Sequence, residues 1–352
     1  VSEKVLMSGN HVIGEAAVRA GCRFYAGYPI TPQNELTEYM AGIMDRTEGG
    51  TFIQAESEIA AINMVIGASM AGCRAMTSSS SPGISLKQEG ISFLSALELP
   101  AVIVNCMRGG PGLGNIAPSQ GDYFQATRGG GHGDYRNIVL GPASGQELAD
   151  LTIKAFEYAD RYRTPVFILQ DGMMGQMMEP VIFPEYIAID DLPAKPWRLD
   201  GADGRPSRVI KSLWLNVNVE EELNWKLVKK YETITDEIQD AETFMTSDAQ
   251  LVIIAYGTAA RIVKGAVIRA REQGMKVGLL RPITLWPFPA RSLTQFTTDV
   301  QFLVFEMSTG QMLEDVKLSV EGRNRISFYG RPGGIISTPY EIFEVVKEKY
   351  RE

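Results

Sequence analysis

The sequence predicts an α/β protein: a parallel sheet covered by helices on both faces, followed by a second, smaller α/β unit. Three observations carry this. From residue 1 to about 180, short β-type runs alternate with helical ones, and such alternation calls for a parallel sheet buried on both sides. From 181 to 246 the rhythm breaks, where Pro184, Pro193, Pro196 and Pro206 with Gly201 and Gly204 make an irregular connector. From Leu251 the alternation resumes. The expected segments are therefore 1–180, 181–246 and 247–352.

Each element follows from local pattern. A helix over 11–20 is stopped by Gly21, and a strand over 23–26 leads into the turn Tyr28-Pro29-Ile30-Thr31-Pro32. The next helix covers 33–44. A strand over 51–54 runs into two carboxylates, Glu56 and Glu58, at the mouth of a helix reaching about 71. Ile59, Ile62, Met64, Val65, Ile66 and Met70 make that helix apolar nearly all round, so it should be buried on most sides. Gly72 can end it. A strand over 74–77 opens into Ser78, Ser79, Ser80 and Ser81, and Pro82 suits the first turn of a helix to about 97. The strand over 101–107 ends at Arg108. Beyond a glycine-rich loop at 129–133 lies a strand over 137–140, and Ser144 with Glu147 forms a capping box for a helix to about 162. A strand over 166–170 closes the unit. In the connector, 219–241 reads as a charged amphipathic helix with Leu223, Leu227, Val228, Tyr231, Ile234 and Ile238 at helical spacing. The last segment continues with strands at 251–255, 276–279, 301–305 and 326–329 and helices to 273 and over 311–320 and 340–350.

Bulk properties bound the function. The 352 residues suit two domains, and 45% hydrophobic with 22% charged residues is an ordinary soluble composition. A net charge of -8 argues against nucleic acid or an anionic membrane as partner. No apolar run reaches about 18 residues and the N-terminus lacks a secretory pattern, so the expected location is the cytoplasm. Cys22, Cys73 and Cys106 are odd in number and widely spaced, which suits reduced thiols and falls short of four thiolates for an iron–sulfur cluster. His11 and His132 show no metal-site spacing. Neither a Gly-x-Gly-x-x-Gly fingerprint nor a phosphate-binding Gly-x-x-x-x-Gly-Lys loop occurs, so a nicotinamide or nucleotide enzyme is poorly supported.

In an open parallel sheet, ligands bind beyond the carboxyl ends of the strands. Tyr28 to Pro32, Glu56 to Glu58, Ser78 to Ser81 and Arg108 all leave strands there, which would give one crevice a hydroxyl, a carboxylate and a guanidinium. Each has a plainer reading. A carboxylate at a helix start can merely complement the dipole. Thr31 can cap the following helix. The four serines can form a polar turn. Arg108 can be a surface residue, although an arginine at a strand end is suited to a bidentate carboxylate.

At these residues the sequence resembles a known family. Tyr28-Pro29-Ile30-Thr31-Pro32, Ser57-Glu58 with the helix end Gly67 to Gly72, and Arg108 resemble the pyrimidine-binding domain of 2-oxoacid:ferredoxin oxidoreductases. Ala255-Tyr256-Gly257, Arg281 to Pro289 and Glu306 to Gln311 are similar to the transketolase C-terminal-like domain that follows it in the separate alpha subunit. Gln33-Asn34 resembles branched-chain members. The resemblance implies that Glu58, with Glu56 as rival, shares a proton with N1′ of the thiamine diphosphate pyrimidine and so promotes the imino tautomer that activates the coenzyme. It implies further that Tyr28, Pro29 and Ile30 lie against the cofactor, and that Thr31 and Arg108 contact the 2-oxoacid. Gln33 and pocket shape would decide among branched-chain, 2-oxoglutarate and pyruvate substrates.

The same resemblance implies partners. No Gly-Asp-Gly with a downstream Asn is present to hold magnesium and diphosphate, the nearest match being Gln170-Asp171-Gly172. This chain would thus form half of an active site, completed by a beta subunit that carries the diphosphate, magnesium and a 4Fe-4S iron–sulfur cluster. A gamma subunit, a ferredoxin-like delta subunit, ferredoxin as acceptor and coenzyme A as co-substrate complete the expectation. The competing reading is a non-catalytic scaffold that retains the fold.

Overall fold

The computed structural model describes residues 4–351; residues 1–3 and 352, the extreme ends of the expected segments 1–180 and 247–352, lie outside the described residues. The first part of the chain comprises β1 (Val5–Ser8), α1 (Gly9–Arg19), β2 (Cys22–Gly27), α2 (Asn34–Met44), β3 (Thr51–Gln54), α3 (Glu58–Met70), β4 (Arg74–Ser79), α4 (Ser81–Ala96) and β5 (Ala101–Met107). It continues with α5 (Tyr123–Thr127), β6 (Ile138–Leu140), α6 (Gly145–Tyr162), β7 (Pro165–Asp171), α7 (Gly172–Gln176) and β8 (Met178–Val181). After the connector come α8 (Val217–Glu237), β9 (Ala241–Phe244), β10 (Leu251–Ile254), α9 (Gly257–Glu272), β11 (Val277–Pro282), β12 (Thr284–Trp286) and α10 (Ala290–Leu293). Then follow β13 (Gln301–Glu306), α11 (Gln311–Val320), β14 (Ile326–Gly330) and α12 (Pro339–Arg351).

The larger sheet has seven strands in the order β12-β6-β7-β5-β4-β2-β3, parallel except for its β12 edge. Every residue of β4, β5 and β7 is buried, as expected when helices cover both faces. The strand order reverses between β2 and β4: β3 lies outside β2, and the chain then crosses back to start β4. That reversal opens a crevice at the carboxyl edge. Beside it α3 and α4 pack closely because position 90 is glycine; a Cβ there would come within 2.6 Å of Ile62 Cγ2.

The second sheet, β14-β13-β10-β11-β9, is parallel apart from β9. Three features depart from expectation. The helix expected over 219–241 ends at Glu237, and Ala241–Phe244 instead pairs antiparallel with β11; the inward stripe of Leu227, Tyr231 and Ile234 is used up by then. The Thr284–Trp286 strand belongs to the larger sheet through β6, so the 281–289 segment straps the two sheets together. The capping box at α6 is half made: Ser144 Oγ accepts from Glu147 N at 3.1 Å, but the Glu147 carboxylate accepts from Ala143 N and turns to the buried Arg281.

Arg281 also pairs with Glu242 at 2.8 Å. One guanidinium thus holds α6, β9 and β11 together. A second tie is Gln120, fully buried, whose side chain donates to Tyr256 O and accepts from Met307 N, both at 2.9 Å. The carboxyl edge of the second sheet is therefore filled by a loop of the first. No helix among the described residues is long and apolar enough to cross a membrane.

Candidate active site

Glu58 is the first residue of α3, and Ser57 caps the helix by accepting from Ala60 N at 3.1 Å. The Glu58 side chain is 6% exposed, whereas Glu56 points to solvent. Among the described residues no hydrogen bond or ion pair reaches the Glu58 carboxylate. Space for it is made by Gly83 on α4: a Cβ at that position would stand 2.6 Å from Glu58 Oε1 and 2.0 Å from Ser79 Oγ. Ser79 Oγ beside it, and Ser80 Oγ, are buried with no hydrogen-bond partner among the described residues.

The four serines are not the polar turn of the plainer reading. Ser78 and Ser79 lie inside β4, Ser81 opens α4, and all four are buried. Ser78 Oγ bridges Tyr25 Oη and Gln33 Oε1, each at 2.5 Å. Gln33 is consequently fully buried, with Thr37 on the same oxygen and its amide donated to Tyr28 O. The residue expected to discriminate among substrates is turned into the framework and shapes the Tyr28 loop instead.

Thr31 does not cap α2. The N-cap position is Gln33, and the Thr31 hydroxyl accepts from the Asn34 side chain at 3.4 Å. Its carbonyl accepts from Arg108 Nη1 at 2.9 Å, while Arg108 Nη2 donates to Leu113 O at 3.1 Å. Arg108 is 7% exposed, and its Nε is buried without a partner. Arg108 is thus not the surface residue of the plainer reading, and the fork expected to suit a carboxylate has two of its nitrogens tied to loop carbonyls. Tyr28 and Pro29 are exposed and Ile30 and Thr31 half-buried on the same rim.

Beside Thr31 opens a cavity of about 430 Å³ whose lining includes Ile116, Pro118, Met173, Met177 and Ile336. Thr31 and Gln176 are the polar side chains in that lining, and no charged side chain joins them. Behind Arg108 stands a carboxyl the sequence did not reveal: Asp122 accepts from Ser81 Oγ at 2.5 Å and Asn105 Nδ2 at 2.9 Å. Burial pushes its affinity for a proton up. Ser81 Oγ in turn accepts from Arg108 N at 3.0 Å, so this network fixes the backbone that carries the guanidinium. A larger groove of about 970 Å³ lies under α8, with Trp225, Tyr231 and Trp286 in its wall; none of the expected site residues lines it.

The remaining sequence signals resolve structurally. Asp171 caps α7 by accepting from Met173 N and Met174 N. All three cysteines are free thiols, and burial raises Cys22 to about 12. Among the described residues no cluster of His, Cys, Asp and Glu could hold a metal ion. A shielded carboxyl free of hydrogen bonds among the described residues, beside a buried hydroxyl, is the set that a thiamine pyrimidine would require, and these residues fit that group.

Comparison with known proteins bears on the same edge. Residues 15–238 match the family described as "Pyruvate flavodoxin/ferredoxin oxidoreductase, thiamine diP-bdg", and 249–342 match "Pyruvate:ferredoxin oxidoreductase core domain II". The chain is 47% identical to the ketoisovalerate oxidoreductase subunit VorB of Methanothermobacter marburgensis, over 97% of each chain. It is 38% identical to the 2-oxoglutarate synthase subunit KorA of Methanocaldococcus jannaschii, covering 97% of this chain and 98% of that one. Among solved structures, a 2-oxoglutarate:ferredoxin oxidoreductase from Magnetococcus marinus, with 2-oxoglutarate, coenzyme A and succinyl-CoA bound, superposes with a TM-score of 0.87 at 28% identity. That match covers 99% of this chain and 66% of the other. A split-gene transketolase, at 13% identity and a TM-score of 0.61, shares the fold.

Proposed function

Because the chain belongs to the 2-oxoacid:ferredoxin oxidoreductase family, we propose that it is the alpha subunit of a branched-chain member, oxidising a 2-oxoacid to the acyl-coenzyme A with thiamine diphosphate. The observation that carries this reading is Glu58, sheltered at the carboxyl edge with no hydrogen bond to its carboxylate among the described residues. Thiamine diphosphate supplies, when bound, a nucleophilic carbon that adds to the 2-oxo group and accommodates the electrons released as carbon dioxide leaves. Glu58 would share a proton with N1′ of the ring, and its shielding from water would keep that proton localised between the two. Tyr28, Pro29 and Ile30 form the rim against which the ring rests.

Thr31 and Arg108 orient the acid. The arginine has donors left for a carboxylate beyond those given to Thr31 O and Leu113 O. The uncharged cavity beside Thr31 suits an aliphatic side chain and offers no cation to a second carboxylate, which favours a branched-chain acid over 2-oxoglutarate.

A beta subunit that brings diphosphate, magnesium and a 4Fe-4S cluster completes the site in this reading, joined by gamma and ferredoxin-like delta subunits, with ferredoxin as acceptor. Support for an interface comes from α3, expected to be buried on most sides but open along Ile59, Asn63 and Gly67. The segments 1–180, 181–246 and 247–352 serve as pyrimidine-binding domain, linker and transketolase C-terminal-like domain. Free thiols suit the cytoplasm.

The test is to isolate the chain with its bound partners and assay the complex against a panel of 2-oxoacids with a low-potential dye. Ketoisovalerate should be oxidised fastest. A complex that binds thiamine diphosphate yet oxidises none of the panel would refute the reading.

A further inference from the structure

Lys87, on α4, is fully buried, and its ammonium has a single hydrogen-bond acceptor among the described residues, Thr77 Oγ1 at 2.6 Å. Thr77 Oγ1 donates onward to Ala26 O at 2.6 Å, so it meets the lysine with its lone pairs. An ammonium carries three donors. Burying one with a single neutral acceptor is costly unless a nearby anion compensates.

That anion is Glu58. Its carboxylate lies over Gly83, where the missing Cβ leaves room. Gly83 and Lys87 are four residues apart on α4 and so share one face, and a helical side chain leans back toward the helix start. Lys87, its ammonium on Thr77 Oγ1, therefore stands one helical turn from the position that accommodates the carboxylate. Glu58 is the group whose charge bears on Lys87, raising a proton affinity that burial lowers to about 7.

We propose that Lys87 is a positioning residue for Glu58: a buried cation one helical turn behind the Gly83 position that accommodates the carboxyl, placed to complement the charge that carboxyl presents to the ring. The proposal rests on the assignment of Glu58 as the thiamine-facing acid and adds a second residue to it. No proton passes between the two.

NMR of the full chain, labelled with carbon-13 at lysine Cε, tests the coupling without any cofactor. Lys87 is assigned as the resonance absent from Lys87→Met and should titrate near pH 7. In Glu58→Gln its midpoint should fall by on the order of one pH unit. If Lys87→Met does not fold, Thr77→Val serves for assignment and should lower the same midpoint, because it removes the ammonium's acceptor. A midpoint unchanged by Glu58→Gln, or one at the value of an exposed lysine, overturns the proposal.

The assembled enzyme gives a second readout. The wild-type turnover profile should bend near pH 7, and Lys87→Met should lose that bend while keeping its affinity for the 2-oxoacid. If Glu58→Gln abolishes turnover but Lys87→Met keeps the wild-type profile, this proposal fails and the Glu58 assignment stands. If Glu58→Gln turns over normally, the assignment itself fails.

Discussion

Arg108 Nη1 donates to the carbonyl of Thr31 at 2.9 Å, tying the loop after β5 to the loop after β2 on opposite sides of β4. One hydrogen bond thus spans the strand-order reversal and sets the width of the crevice mouth. A substitution at Arg108 acts on loop geometry and on substrate charge together.

Arg108→Lys should therefore lower kcat/KM by roughly one to two orders of magnitude. A lysine places a point charge there but cannot reproduce the fork that reaches both Thr31 O and Leu113 O. Steady-state assays of the assembled enzyme, read as separate KM and kcat values, check this. An unchanged kcat/KM would remove Arg108 from the site.

Filling the cavity beside Thr31 should change substrate preference. Met173→Trp, with bulk directed into the space between Ile116 and Ile336, is expected to lower the ketoisovalerate-to-pyruvate rate ratio on the order of tenfold. Competition assays with the two acids measure that ratio.

Lys87 makes stability depend on pH in a defined direction. Its folded-state proton affinity is depressed to about 7 from the ordinary 10.5, so between those values the unfolded chain binds more protons than the folded one. Native stability gains from this residue as pH rises through that window, and the full cost of the buried charge is felt below it. Lys87→Met, which removes the charge at similar volume, should be more resistant to urea than wild type at pH 6, with the gap closing toward pH 10. Urea melts at the two pH values decide it.

Gln120→Ala should strip partners from two buried backbone groups, Tyr256 O and Met307 N, and cost roughly 2–5 kcal/mol. Because the Gln120 loop fills the carboxyl edge of the second sheet, urea unfolding should also lose cooperativity, with the two sheets melting apart. A single unchanged transition would mean that the Arg281 ties and the β12 strap suffice.

The larger sheet was legible because its strands are buried on both faces and read as continuous apolar runs between turn signals. The elements that escaped are short and depend on pairing with distant partners: β1 with β8, β9 with β11, and β12 with β6. Nothing local in Thr284–Trp286 distinguishes a strand of one sheet from a loop of the other. At the site, Tyr28 to Pro32, Glu58 and Arg108 stood out because each follows a strand. Lys87 and Asp122 did not, since a lysine within a serine-rich helix and an aspartate after Gly121 look like solvent-facing residues until the fold closes over them. A charged residue at a helical position otherwise taken by Ile84 and Ile91 was the available signal for Lys87.

The proposed chemistry depends most directly on Glu58. The measurement is 2-oxoacid oxidation by the complex carrying Glu58→Gln, with assembly checked by size-exclusion chromatography and Glu56→Gln as companion. Oxidation should be lost in Glu58→Gln, with the complex intact, and kept in Glu56→Gln. Full turnover by an intact Glu58→Gln complex would contradict the account.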